Sequence, residues 1–136
     1  AGVGAGGPRL VVFRAGGLTP LAKPLPITNP FLRVAGQTAP GDGICIRGAT
    51  FGNYGTHDTI IRYVRVRVGD EVMKGLDGMG FASSDNCIID HCSISWTIPE
   101  EPITSAKRLI TGASTSAQFS LLSLAPSTCT EMGLEM

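Results

Sequence analysis

Two segments of the chain are copies of one another at an offset of 28 residues. "HDTIIRYVRVRV" (57–68) lies without gaps on "DNCIIDHCSISW" (85–96). Asp58 falls on Asn86, Ile60 and Ile61 fall on Ile88 and Ile89, and Val64, Val66 and Val68 fall on Cys92, Ile94 and Trp96. A fainter copy, "NPFLRVAG", stands about 27 residues earlier, with Val34 under Ile61. Repeats of this period built from β-branched residues predict a solenoid, in which each coil buries its apolar face only by stacking on the next. Inside each copy the apolar alternation changes phase. Ile61 and Tyr63 share one parity; Val64, Val66 and Val68 share the other. A straight strand would turn one of these sets outward. A bend at Arg62-Tyr63, and equally at Asp90-His91, lets both sets face inward. Strand, corner, strand is what one coil of a parallel β-helix needs. The expected fold is all-β, an incomplete right-handed parallel β-helix (a β-solenoid) of about three to four coils.

The remaining sequence agrees with that expectation. Strand-like runs at 10–13, 31–34, 44–46, 59–68 and 87–96 alternate with "AGGLTP", "AGQTAPGDG", "GNYGTHD", "GDEVMKGLDGMG" and "ASSDN", which read as turns. No helical period stands out before about residue 100, and no Asn-Gly hairpin signal favours a sandwich. The chain is 136 residues long and 43% apolar, enough for one core. It divides into a partial β-helix, residues 1–104, and an atypical tail, residues 105–136. That tail is uncharged from 111 to 130 and keeps only a strand-like echo at "QFSLLS", as in a degraded or frame-altered coil. Eleven basic residues balance eleven acidic ones, so bulk charge argues for neither nucleic acid nor a membrane surface. No apolar run is long enough to cross a membrane as a helix. Cys45, Cys87, Cys92 and Cys129 match no zinc spacing and read as buried free thiols. Gly2-x-Gly4-x-x-Gly7 formally matches a dinucleotide loop but lacks the preceding strand and following helix.

Asp90-His91-Cys92 places an acid, an imidazole and a thiol in three consecutive positions. In extended chain, neighbours point to opposite sides, so the three cannot converge on a metal or a nucleophile. The offset alignment puts Arg62 one coil from Asp90, predicting an ion pair between coils. Cys92, aligned with Val64, belongs to the core, and Asp90 and His91 read as wall. Arg65 and Arg67 alternate with valines and are predicted to share one outward face, joined by Arg47 from an earlier coil. That face is either a solvated strand surface or a cationic groove for an acidic polymer. Asp70, Glu71 and Asp77 follow the first copy; Glu100 and Glu101 follow the second. In stacked coils these acids leave neighbouring rungs on one side, and carboxylates from separate loops suit Ca²⁺.

Three stretches, "ITNPFLRVAGQTAPGDGICIRG", "HDTIIRYVRVRVGDE" and "LDGMG…SDNCIIDHCSISWTIPEE", together resemble the pectate lyase family in its short bacterial branch. The resemblance covers about residues 5–101. It implies a secreted or periplasmic lyase that cleaves polygalacturonate or pectin by β-elimination. Ca²⁺ would bridge acids of the protein to uronate carboxylates, and an arginine would take the C5 proton. By position, Asp77 matches the calcium-binding acid ahead of the "IDH" segment. Glu100 matches the second acid of the pair after the tryptophan. The first of that pair is Pro99 here, which offers no side-chain oxygen, and Glu101 is the candidate substitute. Arg62, Asp90, His91 and Trp96 fall in the family's structural motif, and Arg65 and Arg67 are the candidates for binding the polymer. No catalytic residue is assigned, because the family's arginine base lies in later coils and Arg108 matches nothing there. The chain therefore reads as an N-terminal and central piece of such a lyase, inactive alone, whose uncapped end favours self-association. The competing readings are a non-catalytic β-solenoid that binds acidic polysaccharide and a purely structural solenoid.

Overall fold

The computed structural model describes residues 2–69 and 78–95, and the backbone of two further short strands at 109–111 and 116–117. The strands are β1 (Arg9–Val12), β2 (Gly17–Pro20), β3 (Leu25–Ile27), β4 (Leu32–Ala35), β5 (Ile44–Arg47), β6 (Phe51–Tyr54) and β7 (His57–Arg62). They continue with β8 (Val64–Arg67), β9 (Met79–Ala82), β10 (Asp85–Asp90), β11 (Ser93–Ser95), β12 (Leu109–Thr111) and β13 (Ser116–Ala117). Up to β11 every third strand returns to the same sheet: β1-β4-β7-β10-β12 form one, β2-β5-β8-β11-β13 the second and β3-β6-β9 the third. All registered pairs are parallel. This is a parallel β-helix. Among the described residues three coils are complete, β10 and β11 belong to a fourth, and β12 and β13 to a fifth. The one helical element described is a 3-10 turn at Gly36–Thr38.

The register is the sequence repeat made physical. Ile61 stands opposite Ile89, Arg62 opposite Asp90 and Val66 opposite Ile94. One coil earlier Val34 stands opposite Ile61. The phase change becomes a corner through one residue in the left-handed region: φ is 54° at Tyr63 and 52° at His91. A non-glycine residue there costs roughly 1–2 kcal/mol. It reverses the side on which the following residues lie, so Ile61 and Val64 both reach the interior. Tyr63 N donates to Asp90 O at 3.2 Å, tying the two corners together. The opposite corner uses the same device at Phe31, Asp58 and Asn86, with φ of 59°, 51° and 52°.

The core is a set of columns running along the solenoid axis. Val34, Ile61 and Ile89 form one; Ile44 and Val64 begin a second, and Ile46 and Val66 a third, all buried. The third sheet adds Phe51 over Met79 and brings Ile27, Asn53 and Phe81 into one row. Two of its strands, β6 and β9, overlap stretches that read as turns from sequence. The reason is close approach: Gly52 lies opposite Gly80, and a Cβ at Gly52 would fall inside the Gly80 backbone. Glycine here serves a tight coil contact within a strand. Likewise β2, read as a turn in "AGGLTP", is an exposed edge strand, where Pro20 is tolerated.

The glycine-rich entry is tied down by Arg9. Its guanidinium donates to the carbonyls of Gly2, Val3, Gly7, Asn29 and Pro30 at 2.8–3.2 Å. Five carbonyls satisfy its five donors. Asn29 Nδ2 adds bonds to Gly4 O and Ala5 O. The segment therefore turns carbonyls toward a cation, the reverse of a phosphate loop. Cys87 and Cys92 are free and buried, and burial pushes the Cys92 thiol up to about 11. Cys45 is equally buried but disulfide-bonded, which corrects the free-thiol expectation for that residue.

Candidate functional site

The corner that carries the acid and the imidazole is a wall element. Arg62 Nε lies 3.2 Å from Asp90 Oδ2 on the next coil, without the alignment of a hydrogen bond. Asp90 Oδ1 is 2.8 Å from Nδ1 of His91, and the His91 ring stacks on Tyr63 with centroids 4.5 Å apart and planes 17° apart. Asp90 thus clamps its own corner and the corner below. The pair is partly open, with side-chain exposures of 38% for Arg62 and 18% for Asp90, so it carries less weight than an enclosed ion pair. Cys92 points the other way, into the core, its thiol 3.6 Å from Ile61 O. Acid, imidazole and thiol do not converge.

The outward face of the second sheet is the more unusual surface. Inward positions are Ile44, Ile46, Val64 and Val66; outward positions are Arg47, Arg65, Arg67, Ser93 and Ser95. Arg47, Arg67 and Ser95 occupy one row, and Arg65 and Ser93 share the next. The alternation placed the arginines on one face, but not their burial: Arg65 is 4% exposed and Arg67 7%. A solvated strand surface is therefore corrected to a desolvated one. Arg67 Nη1 donates to Val66 O at 3.0 Å and Ser93 O at 2.8 Å, and Nη2 donates to Ser93 Oγ at 2.8 Å. Arg65 Nη2 donates to Asp42 O. Burial, and then the neighbouring Arg65, hold Arg67 below the ordinary guanidinium value. Small serines on the upper rung give the long Arg67 side chain room to lie across it. Ser93 and Ser95 were not singled out from sequence, although the copy alignment sets them directly opposite Arg65 and Arg67.

Asp77, Glu100, Glu101 and Trp96 lie outside the described residues, as does Arg108. What the structure gives is their point of departure. β8 ends at Arg67 and β11 at Ser95, side by side. The segments bearing Asp77 and the two glutamates therefore leave adjacent rungs from the same end of one sheet. Among the described residues no three His, Cys, Asp or Glu side chains group as a metal site. Asp58 is held by His57 Nδ1 at 2.7 Å and by Asn86 Nδ2, and Asp90 by the corner. Asp77, Glu100 and Glu101 carry oxygen donors of the kind that a hard ion such as Ca²⁺ takes.

Stacked parallel coils with a cationic sheet face and acids following its strand ends define a β-helix protein. No family model matches the chain. It is, however, 40% identical over 88 residues to the probable pectate lyase C of Aspergillus flavus, covering 65% of this chain and 21% of that protein. The probable pectate lyases C of Emericella nidulans and Aspergillus terreus are 41% and 36% identical over the same length and shares. The matched stretch is similar to these pectate lyases, in line with the resemblance its motifs carry. The chain spans about a fifth of the length of these relatives. They are fungal, and the bacterial branch stays an expectation.

Proposed function

We propose that this chain is the early part of a pectate lyase-type β-helix, acting outside the cell on polygalacturonate or pectin. The observation that carries the reading is the identity of about 40% with probable pectate lyases C over 65% of the chain. The stacked coil register supports it. In this reading Asp77 and Glu100, with Glu101 in the place Pro99 leaves without an oxygen, hold Ca²⁺. Bound there, the ion would withdraw charge from a uronate carboxylate and acidify the adjacent carbon. The chain's own residues do the rest of the positioning. The β8 and β11 strand ends lie on neighbouring rungs and the acids follow them in sequence, and the Arg62–Asp90 corner links those rungs. Arg65 and Arg67 contribute positive charge to the polymer side.

β-Elimination also needs a base within about 3 Å of the proton it removes. Only Arg108 follows the "IDHC" segment among arginines, and it lies outside the family's motif. The 136-residue chain is expected to give no unsaturated uronate from polygalacturonate with Ca²⁺, whereas a version extended by later coils of a family member gives it. Clear product from the chain alone, abolished by Arg108→Ala, would overturn this division of labour. The arginine-bearing face favours a second reading, a non-catalytic solenoid that retains acidic polysaccharide. That reading predicts retention without product from both versions.

A further inference from the structure

We propose that Arg67 and Ser95 form a carboxylate-binding site on the outward face of the second sheet. Arg67 carries five N–H donors, and three are engaged: two on Nη1 by Val66 O and Ser93 O, one on Nη2 by Ser93 Oγ. The Nε–H and one Nη2–H remain, and Nε is buried with no hydrogen-bond partner. On the adjacent rung, directly opposite Arg67, Ser95 is 4% exposed and its Oγ is likewise buried with no partner. Two buried polar groups with unspent hydrogen bonds therefore stand in one row of the sheet.

Both groups are expensive to leave unpaired in a desolvated place. Arg67 cannot relieve the penalty by losing its proton, since a guanidinium stays charged at physiological pH. Among the described residues no carboxylate pairs with it, and the charged neighbour that acts on it is another arginine, Arg65. The unspent donors suit an anion with two oxygens. One oxygen accepts from the Nε–H and Nη2–H edge of the guanidinium, and the other accepts from Ser95 Oγ. A planar carboxylate fits that geometry, and the low dielectric strengthens the contact. The assignment of the carboxylate to a uronate rests on the lyase reading; the carboxylate chemistry rests on the side chains alone.

The test is a titration of the full chain, followed through the ¹⁵N–¹H resonance of Arg67 Nε, with sodium galacturonate and with galactose as the neutral probe. The expected result is a saturable shift of that resonance with galacturonate and none with galactose. Ser95→Ala is expected to weaken the binding roughly tenfold, the loss of one charge-assisted hydrogen bond. Arg67→Lys keeps the charge but removes the fork, and its affinity for galacturonate, read by calorimetry, should fall at least as much with circular dichroism unchanged. No shift with galacturonate, an equal shift with galactose, or unchanged affinity in Ser95→Ala overturns the site. Retention of the chain on immobilised polygalacturonate is measured in parallel. Retention without an Arg67 shift defeats this site and leaves the lyase reading standing; a shift without retention does the reverse.

Discussion

At Cys92 a single thiol reports how well the coils exclude water. Burial raises its value from 9.0 to about 11, because the thiolate loses hydration while the neutral thiol does not. A raised value makes the stabilisation complete below about pH 9 and progressively lost as pH climbs toward 11. The native chain should therefore resist thiol-modifying reagents at Cys92 at pH 8 and react on unfolding; rapid native labelling would contradict its burial. Asp58 works in the opposite sense. His57, then Asn86, hold its carboxyl below the ordinary 3.8, so its contribution is present above that pH and lost as pH falls through the lowered value. Asp58→Asn should flatten that acid limb of the stability curve, and an unchanged limb would show that the cluster does not form. The Arg62–Asp90 pair is partly open, so a double-mutant cycle should return a coupling of roughly 0.5–1 kcal/mol. A coupling indistinguishable from zero would remove it as the link between corners. The pairing was legible in sequence because an offset of 28 fixes who faces whom. The openness was not, since spacing carries no information about what covers a side chain.

Among elements, the columns and the glycine contact carry different lessons. Ile61 sits between Val34 and Ile89 with no exposed surface, so Ile61→Ala should cost about 2–5 kcal/mol in urea unfolding. Gly52→Ala should cost about 3 kcal/mol, because the new methyl meets Gly80 backbone that cannot step aside. Gly4→Ala, where the added carbon meets nothing, is the control and should change little. Equal effects of the two glycine substitutions would contradict the close approach of β6 and β9. The first two sheets were legible because β-branched residues alternate and then switch phase at Tyr63 and His91. The third was hidden: Gly52, Asn53 and Gly80 look like turn residues, and only the neighbouring coil shows that they fill a strand. Arg65 and Arg67 were read as sharing a face, and of the two characters left open for it their burial disfavours the solvated one. Alternation decides the side of a strand; it does not decide whether that side meets water.

For the whole molecule, stacking every coil on the last makes the fold a one-dimensional array, and a function built on it must use groups repeated or aligned along that axis. The described part supplies an arginine and serine row, and two neighbouring strand ends from which acid-bearing segments depart. The fold was legible from a repeat, and the likeness to pectate lyases from a few motifs. The proposed cation site was legible only as residue identities, since the acids proposed for it lie in segments that follow strands and obey no core periodicity. The most direct test of the central claim is retention of the 136-residue chain on immobilised polygalacturonate, with Ca²⁺ and with a chelator, beside Asp77→Ala. The variant is essential because Ca²⁺ also cross-links the polymer itself. A pectate lyase-type solenoid should be retained with Ca²⁺, released by the chelator, and retained much less when Asp77 is lost. Identical elution of the chain and Asp77→Ala from polygalacturonate and from a neutral galactan, with or without Ca²⁺, would contradict it.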